Sequence, residues 1–215
     1  MRQLTWVGAT ALVLISTVLW LWAASMTRRW IFAEHGAMEN FQVVCLVFGA
    51  AVLAWQAFAA RQTQERILFA ALTLFFATFA IREFDVRKGE WSPVLVAVLS
   101  GTARNLWLGS LWLLLGGFAY RYRANLLLFG WKWLRSPAGD ILLVAGLFWV
   151  VAAGVDKADP FSTRRRNLLA EELIEANAAL LMAFSAIISL ARLRPTQPEA
   201  ATSQWIPAEA QDDPA

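Results

Sequence analysis

Six apolar segments of this chain are close to the length that a helix needs to cross a lipid bilayer. The hydrocarbon core is about 30 Å thick, so a spanning helix needs about 20 residues at 1.5 Å each. The segments run from Leu4 to Ala24, from Asn40 to Ala60, from Ile67 to about Asp85, from near Ser92 to Tyr120, from Ile141 to Val155, and through a last segment that ends at Ala191. The sequence therefore predicts an all-α, polytopic transmembrane helix bundle with about six spans.

Composition supports a membrane-embedded chain and argues against other classes. Hydrophobic residues make up 59% of the 215 residues and charged residues only 16%, against roughly 25% charged residues in ordinary soluble domains. The net charge of +3 is small and the bases are dispersed among apolar segments, which does not fit a nucleic-acid-binding surface. The single cysteine, Cys45, excludes an intrachain disulfide. We expect the lipid bilayer, and no nucleic acid, as a partner.

The chain divides into a membrane domain and a tail. Residues 1–194 form the predicted transmembrane helical domain. Residues 195–215 contain four prolines and four acidic residues with little to bury, which predicts a disordered, acidic, Pro-rich tail. The first segment also has small residues at a spacing typical of signal-peptide cleavage, Ala23 and Ser25. Its apolar run exceeds the usual stretch of about 7 to 15 residues, so we interpret it as a retained anchor.

A basic and aromatic segment follows the fourth span, with the sequence RYRANLLLFGWKWLRSP from Arg121 to Pro137. Leucine, phenylalanine and tryptophan mixed with arginine and lysine are typical of a helix that lies in the headgroup layer of an anionic leaflet. The segment predicts an interfacial basic helix between spans 4 and 5, in which Arg121–Arg135 bind anionic phospholipid. A basic loop that carries an aromatic belt is the alternative.

The charges that flank the spans bear on orientation. With six spans, basic residues are almost equally divided between the two sides, so the positive-inside rule does not decide. The acids do differ: outside the tail only Glu65 and Asp140 lie on the side of the termini. We expect both termini in the cytoplasm, with the acidic side facing outward. The excess of arginine over lysine favours a bacterial source, and hence a bacterial inner membrane.

The sixth span runs out of apolar residues before it reaches the acidic side. Counted back from Arg192, residues 176–191 give roughly 24 Å of helix, which is too short to cross the hydrocarbon core. Glu175 should therefore lie about one turn inside the apolar boundary. Glu171 and Glu172 are four and three residues before Glu175, a spacing that puts each of them on the same helix face as Glu175.

Three other spans place polar side chains at about the same depth. An ionised group in hydrocarbon is costly, and such groups nearly always face the interior of a bundle and pair with one another. The sequence therefore predicts a polar binding site shared by four helices. Its candidate ligand-binding residues are Glu39, Gln42, Arg82, Glu83, Arg104, Asn105, Glu171, Glu172 and Glu175.

The surplus of carboxylates in this site predicts a positively charged ligand. A divalent cation, a cationic molecule or protons could neutralise it. Oxygen ligands favour Mg, Ca or Mn over Zn, and the only histidine, His35, excludes a His-rich metal site. The candidate metal ligands are Glu39, Glu83, Glu172 and Glu175. In a catalytic site, Glu175 or Glu39 would be the base, and Arg82 or Arg104 would hold an anionic group.

Three functions remain open at this point. A structural or accessory subunit of a membrane complex requires the fewest assumptions and is the first expectation, with another membrane subunit as its partner. A cation- or proton-coupled binding or transport protein is an alternative, as is a membrane enzyme that acts on a lipid-linked or polar headgroup substrate. Carboxylates near a helix N-terminus also complement the helix dipole, so a purely structural role for the cluster stays open as well.

Overall fold

The computed structural model describes residues 2–26, 36–84, 92–158, 160–161 and 163–191. These residues form eight α-helices and no strand. The helices are α1 (Arg2–Met26), α2 (Ala37–Ala59), α3 (Thr63–Glu83), α4 (Pro93–Leu99), α5 (Gly101–Arg121), α6 (Arg123–Leu134), α7 (Pro137–Ala158) and α8 (Arg164–Leu190). The predicted all-α fold is confirmed. The predicted tail, residues 195–215, lies outside the described residues.

Helix length and composition confirm a multi-pass membrane protein. Five helices, α1, α2, α3, α7 and α8, are each long and apolar enough to cross a bilayer. Helices α4 and α5 add a sixth span if the bent pair is counted as one, and the two differ in direction by 55°. The prediction of about six spans therefore agrees with five to six.

The break between α4 and α5 falls at Ser100 and Gly101. Gly101 has a φ of 60°, a conformation that residues with a Cβ rarely adopt. The Ser100 hydroxyl donates to the carbonyl of Val96 at 2.6 Å, and the Trp107 indole nitrogen donates to the carbonyl of Val98 at 2.9 Å. Because an unpaired backbone group in hydrocarbon costs several kcal/mol, these two side-chain bonds make the bend compatible with a membrane.

Helix α8 is the centre of the bundle, because it packs against α7 on one side and α2 on another, while α2 in turn packs against α3. Its buried face is rich in small side chains, which let helix backbones approach closely where lipid, not water, surrounds them. The small buried residues are Ala176, Ala178, Ala179, Ala183, Ser185, Ala186 and Ser189. Helices α1 and α5 lie at the periphery and expose many large apolar side chains.

The predicted helix between spans 4 and 5 is present as α6, which packs against α3 and α7. Trp133 is buried against the bundle. The guanidinium of Arg123 lies 4.5 Å from the ring centroid of Tyr120, and that of Arg135 lies 4.5 Å from the ring centroid of Trp131. Its position at the membrane surface and its binding of anionic phospholipid stay predictions.

Gly49 on α2 lies in tight contact with both α3 and α8. A Cβ at this position would lie 2.7 Å from the ring of Phe76 and 3.4 Å from the Cα of Ala183. Phe76 is almost fully buried, so its ring has little room to move.

We therefore expect Gly49→Ala to destabilise the bundle by about 1–3 kcal/mol, the usual cost of overpacking a filled core. Thermal unfolding of the purified protein in detergent measures the effect. Gly109→Ala on α5 is the matched control, because a Cβ there meets nothing within 4 Å. Equal stability of the two variants would contradict the close packing at Gly49.

Candidate functional site

Five polar residues meet where α2, α3 and α8 come together at one end of the bundle. The Nε of Arg82 donates to Oε1 of Glu83 at 2.9 Å, and its Nη2 lies 3.8 Å from Oε1 of Glu175. The Nε2 of Gln42 donates to Oε2 of Glu172 at 2.9 Å and to the Glu172 backbone carbonyl at 3.4 Å. We call these five residues the polar network. It connects α8 to α2 through Gln42 and to α3 through Arg82.

The spacing of the glutamates on α8 explains why they reach different partners. Glu172 and Glu175 are three residues apart and so lie on adjoining parts of one helix face. Glu172 contacts α2 through Gln42, and Glu175 faces α3 through Arg82. Asn177 points to a third helix, because its Nδ2 donates to Oγ1 of Thr17 on α1 at 3.1 Å.

Burial divides the polar network into an inner and an outer part. The Gln42 side chain is fully buried, and the side chains of Glu83 and Glu175 are only 14% and 12% exposed. The Arg82 side chain is 57% exposed. The network therefore presents a guanidinium at its accessible edge and keeps its carboxylates and amide behind it.

The other predicted site residues lie around the polar network. Glu39 is in the first turn of α2, and its charge acts on Glu172. Glu171 is partly buried on α8. Arg104 donates from Nη1 to the carbonyl of Ile81 at 3.5 Å, which brings it to the end of α3.

Asn105 departs from the expectation of an inward-facing polar group, because its side chain is exposed on α5. The reason is that α5 starts at a sharp bend and packs only lightly on α3, so that its first turn is not drawn into the bundle. The predicted grouping of Asn105 with the carboxylates therefore does not describe the observed arrangement.

The predicted metal site finds no support in the arrangement of the carboxylates. Within the described ranges, no group of three or more His, Cys, Asp or Glu side chains is placed to hold a metal ion. His35 and Asp85 lie outside these ranges. The residues predicted as metal ligands, which the structure does not gather into such a group, are Glu39, Glu83, Glu172 and Glu175.

An apolar groove of about 640 Å³ lies directly beside the polar network. It runs between α3 and α7, with Trp112 of α5 at its side and the buried Met182 of α8 on its inner wall. Phe79 and Trp149 belong to its lining and approach to 5.0 Å between ring centroids. The guanidinium of Arg82 lies 5.7 Å and 5.3 Å from the centroids of these two rings. One end of the groove is therefore covered by the accessible edge of the polar network.

The groove is open on its outer side. Leu143 and Val150 of α7, which line it, are exposed. In a bilayer this side would face lipid chains, so a hydrophobic molecule could enter laterally. Sequence reasoning missed the groove, because it forms in the space between α3, which packs on α2, and α7, which packs on α8.

A second polar cluster near the opposite end of α2 was also missed. The Nε2 of Gln56 donates to the carbonyl of Ala186 at 2.9 Å, and its Oε1 accepts from the Ser189 hydroxyl at 2.8 Å. Gln42 and Gln56 are about four helical turns apart on α2, so two glutamines on one face of an apolar span were the signal. Both ends of the Gln56 amide are satisfied within the protein, which is the pattern of a structural contact.

Comparisons with protein-family models, with curated proteins and with solved structures find no match. The class of the protein, a multi-pass α-helical membrane protein, thus follows from the helices alone. Evidence on its function comes from the polar network and the adjoining groove.

We expect Glu175→Ala to lower the folded yield, because it removes a charge partner of Arg82 and leaves a gap on the central helix. Destabilising substitutions usually cost about 0.5–3 kcal/mol, and creating a cavity at a buried position is among the causes of the larger values. Size-exclusion chromatography of the detergent-solubilised protein measures the folded fraction. Glu175→Gln keeps the shape and should be better tolerated.

Asp156→Ala is the control for Glu175→Ala, because Asp156 is an exposed acid at the end of α7. If Asp156→Ala and Glu175→Ala reduced the folded yield equally, the polar network would not be a structural joint between α3 and α8.

Proposed function

We propose that the protein binds an amphipathic ligand, a lipid or a lipid-linked molecule, with its polar part at the polar network and its hydrocarbon chain in the groove. The observation that carries this proposal is the continuity of the two features. Phe79 and Trp149 line the groove, and the same two rings lie beneath the guanidinium of Arg82. An amphipathic molecule is the kind of ligand that fits an apolar channel with a charged group at one end.

The size and chemistry of the two parts support this ligand class. Ligand pockets usually have volumes of about 300–1,000 Å³ with mainly apolar walls and a few polar groups that fix orientation. The groove falls within this range at about 640 Å³. A guanidinium is the side chain best suited to bind a phosphate or carboxylate, because its N–H groups form parallel hydrogen bonds to two oxygens. The exposure of Arg82 leaves it accessible to such a group.

The membrane environment determines which part of the ligand gives selectivity. Lipid chains are as apolar as the groove, so moving a chain from the bilayer into the groove gains little free energy. Contacts between charged groups are stronger in surroundings of low dielectric constant. Discrimination between ligands should therefore come from the polar network, while the groove mainly orients the molecule.

We further propose that the protein resides in a bacterial inner membrane with both termini in the cytoplasm and the polar network towards the outer surface. The uneven distribution of acids supports this orientation. The ion pair between Arg2 and Asp140, at 2.6 Å, is consistent with the N-terminus and the start of α7 being on one side. The polar network lies at the other end of the bundle, near the start of α2 and the end of α3.

A reporter that is active only in the cytoplasm tests the orientation. Fused after residue 194 of the full membrane domain, it is expected to be active, because the last span should return the chain to the cytoplasm. Fused after residue 26, behind α1 alone, it should be inactive. The reverse pattern would place the polar network at the cytoplasmic surface.

Filling the groove tests the proposed ligand. A Cβ on Gly146 of α7 meets nothing within 4 Å, and Gly146 lines the groove. Gly146→Trp should therefore occupy the groove without straining the helix. We expect it to reduce the amount of tightly bound lipid about tenfold, equivalent to about 1.4 kcal/mol. Native mass spectrometry of the purified protein counts the lipid molecules that remain bound.

Gly154→Trp is the matched control on the same helix. A Cβ there also meets nothing within 4 Å, and Gly154 is not part of the groove lining. The control should retain lipid as the unmodified protein does. If Gly146→Trp retained equally much, the groove would not be the binding site.

A structural or accessory role in a membrane complex is the second candidate. It is favoured by the contacts of Glu172 and Glu175, which join three helices of the bundle. This function does not require the groove. A Gly146→Trp protein that loses no lipid and still assembles with its partner subunit would support the accessory role over ligand binding.

A further inference from the structure

Carboxylates outnumber basic groups in the polar network. The charges that act on Glu175 are those of Glu83, Glu172, Glu171 and Arg82, which means four acids in this neighbourhood with one guanidinium. Buried charge without a partner is strongly unfavourable, above all at membrane depth. A ligand that added only negative charge would worsen this imbalance, whereas a ligand with a cationic group would relieve it.

The polar network also has an excess of hydrogen-bond acceptors, in parallel with its excess of negative charge. Ionised carboxylates only accept hydrogen bonds. Gln42 is fully buried with its amide against Glu172, yet its Oε1 has no donor among the described residues. A buried acceptor without a donor calls for an explanation, since nearly all such groups are paired. Behind Arg82, the polar network therefore has more hydrogen-bond acceptors than donors.

At the accessible edge of the polar network, Arg82 favours an anionic group, in contrast to the carboxylates behind it. Its guanidinium offers several donors and one positive charge, which suit a phosphate. A headgroup that carries a phosphate and an ammonium would therefore satisfy both parts of the network. The phosphate would bind Arg82, and the ammonium would face the carboxylates behind it.

We infer that the ligand is a phospholipid with a primary ammonium headgroup, a phosphoethanolamine group on acyl chains, bound with its phosphate at Arg82 and its ammonium towards Glu83 and Glu175. This inference rests on the proposed function, because it names the headgroup of the lipid that occupies the groove. A primary ammonium brings three N–H donors with its charge. A trimethylated ammonium brings the charge without donors, and a glycerol headgroup brings donors without the charge.

Lipid competition tests the headgroup directly. The delipidated full-length protein is mixed with equal amounts of phosphatidylethanolamine, phosphatidylcholine and phosphatidylglycerol that carry identical acyl chains. Native mass spectrometry then measures which lipid is bound. We expect phosphatidylethanolamine to exceed phosphatidylglycerol about tenfold or more, as one charge-assisted hydrogen bond allows. Phosphatidylcholine should be intermediate.

Isosteric variants connect the preference to the carboxylates. Glu83→Gln and Glu175→Gln each remove one negative charge, and either should lower the ratio of phosphatidylethanolamine to phosphatidylglycerol several-fold. Using both keeps the test valid if one variant folds poorly. Glu65→Gln, which changes an acid in the first turn of α3, at the end of that helix opposite to Glu83, should leave the ratio unchanged.

The outcomes separate this inference from the proposed function. Equal binding of the three lipids, or a preference that neither glutamine variant alters, would overturn the headgroup assignment. If Gly146→Trp still displaced the bound lipids in that case, the proposed binding of lipid in the groove would be retained. Absence of bound lipid in the unmodified protein, or insensitivity to Gly146→Trp, would overturn the proposed function as well.

Discussion

The cost of placing charge below the membrane surface governs how the central helices face one another. A span of about 20 residues counted back from the end of α8 reaches the glutamates in the first half of the helix, and these would be unfavourable against lipid. In the bundle, these side chains turn inward, where Glu172 meets Gln42 and Glu175 meets Arg82. The rotation of α8 about its axis is thereby fixed relative to α2 and α3. The small residues on the rest of its buried face then allow the backbones to close in.

The two polar clusters on α2 differ in how completely their polar groups are paired within the protein. At Gln56 every amide contact is made within the protein, and the result is a closed link between α2 and α8. At Gln42 the Oε1 atom lacks a donor among the described residues, several carboxylates lie together, and Arg82 remains largely exposed. A cluster that served only to hold helices together would be expected to resemble the first. The cluster at Gln42 has hydrogen-bonding groups and charges that are not paired within the described part of the protein, which is why we propose that it binds a ligand.

The groove arises from the same packing. Because α8 holds α7 and α2 holds α3, the two outer helices lie side by side without packing along their lengths. They meet through Phe79 and Trp149, and Arg82 covers this contact. Stacking of the guanidinium on two rings stabilises it at the boundary between the polar network and the groove. A single arginine thus takes part in both halves of the proposed site.

The sequence by itself determined the class of the protein and the number of spans to within one, and it predicted that polar side chains of several spans lie at a common depth. These properties depend on local composition and on the fixed rise of a helix, which can be counted along the chain. The basic helix α6 could be predicted for the same reason. Periodicity also placed Glu172 and Glu175 on a common face, before any neighbour was known.

Only the tertiary structure decided which of the polar side chains meet. It joined Gln42, Arg82, Glu83, Glu172 and Glu175, and it left Asn105 exposed because the bend before α5 keeps that helix at the periphery. It also produced the groove and completed the Gln56 cluster. These features depend on the distances and rotations of helices relative to one another, which are set by packing between residues far apart in sequence. The two glutamines on one face of α2 indicated polar contacts, but no local pattern could identify their partners.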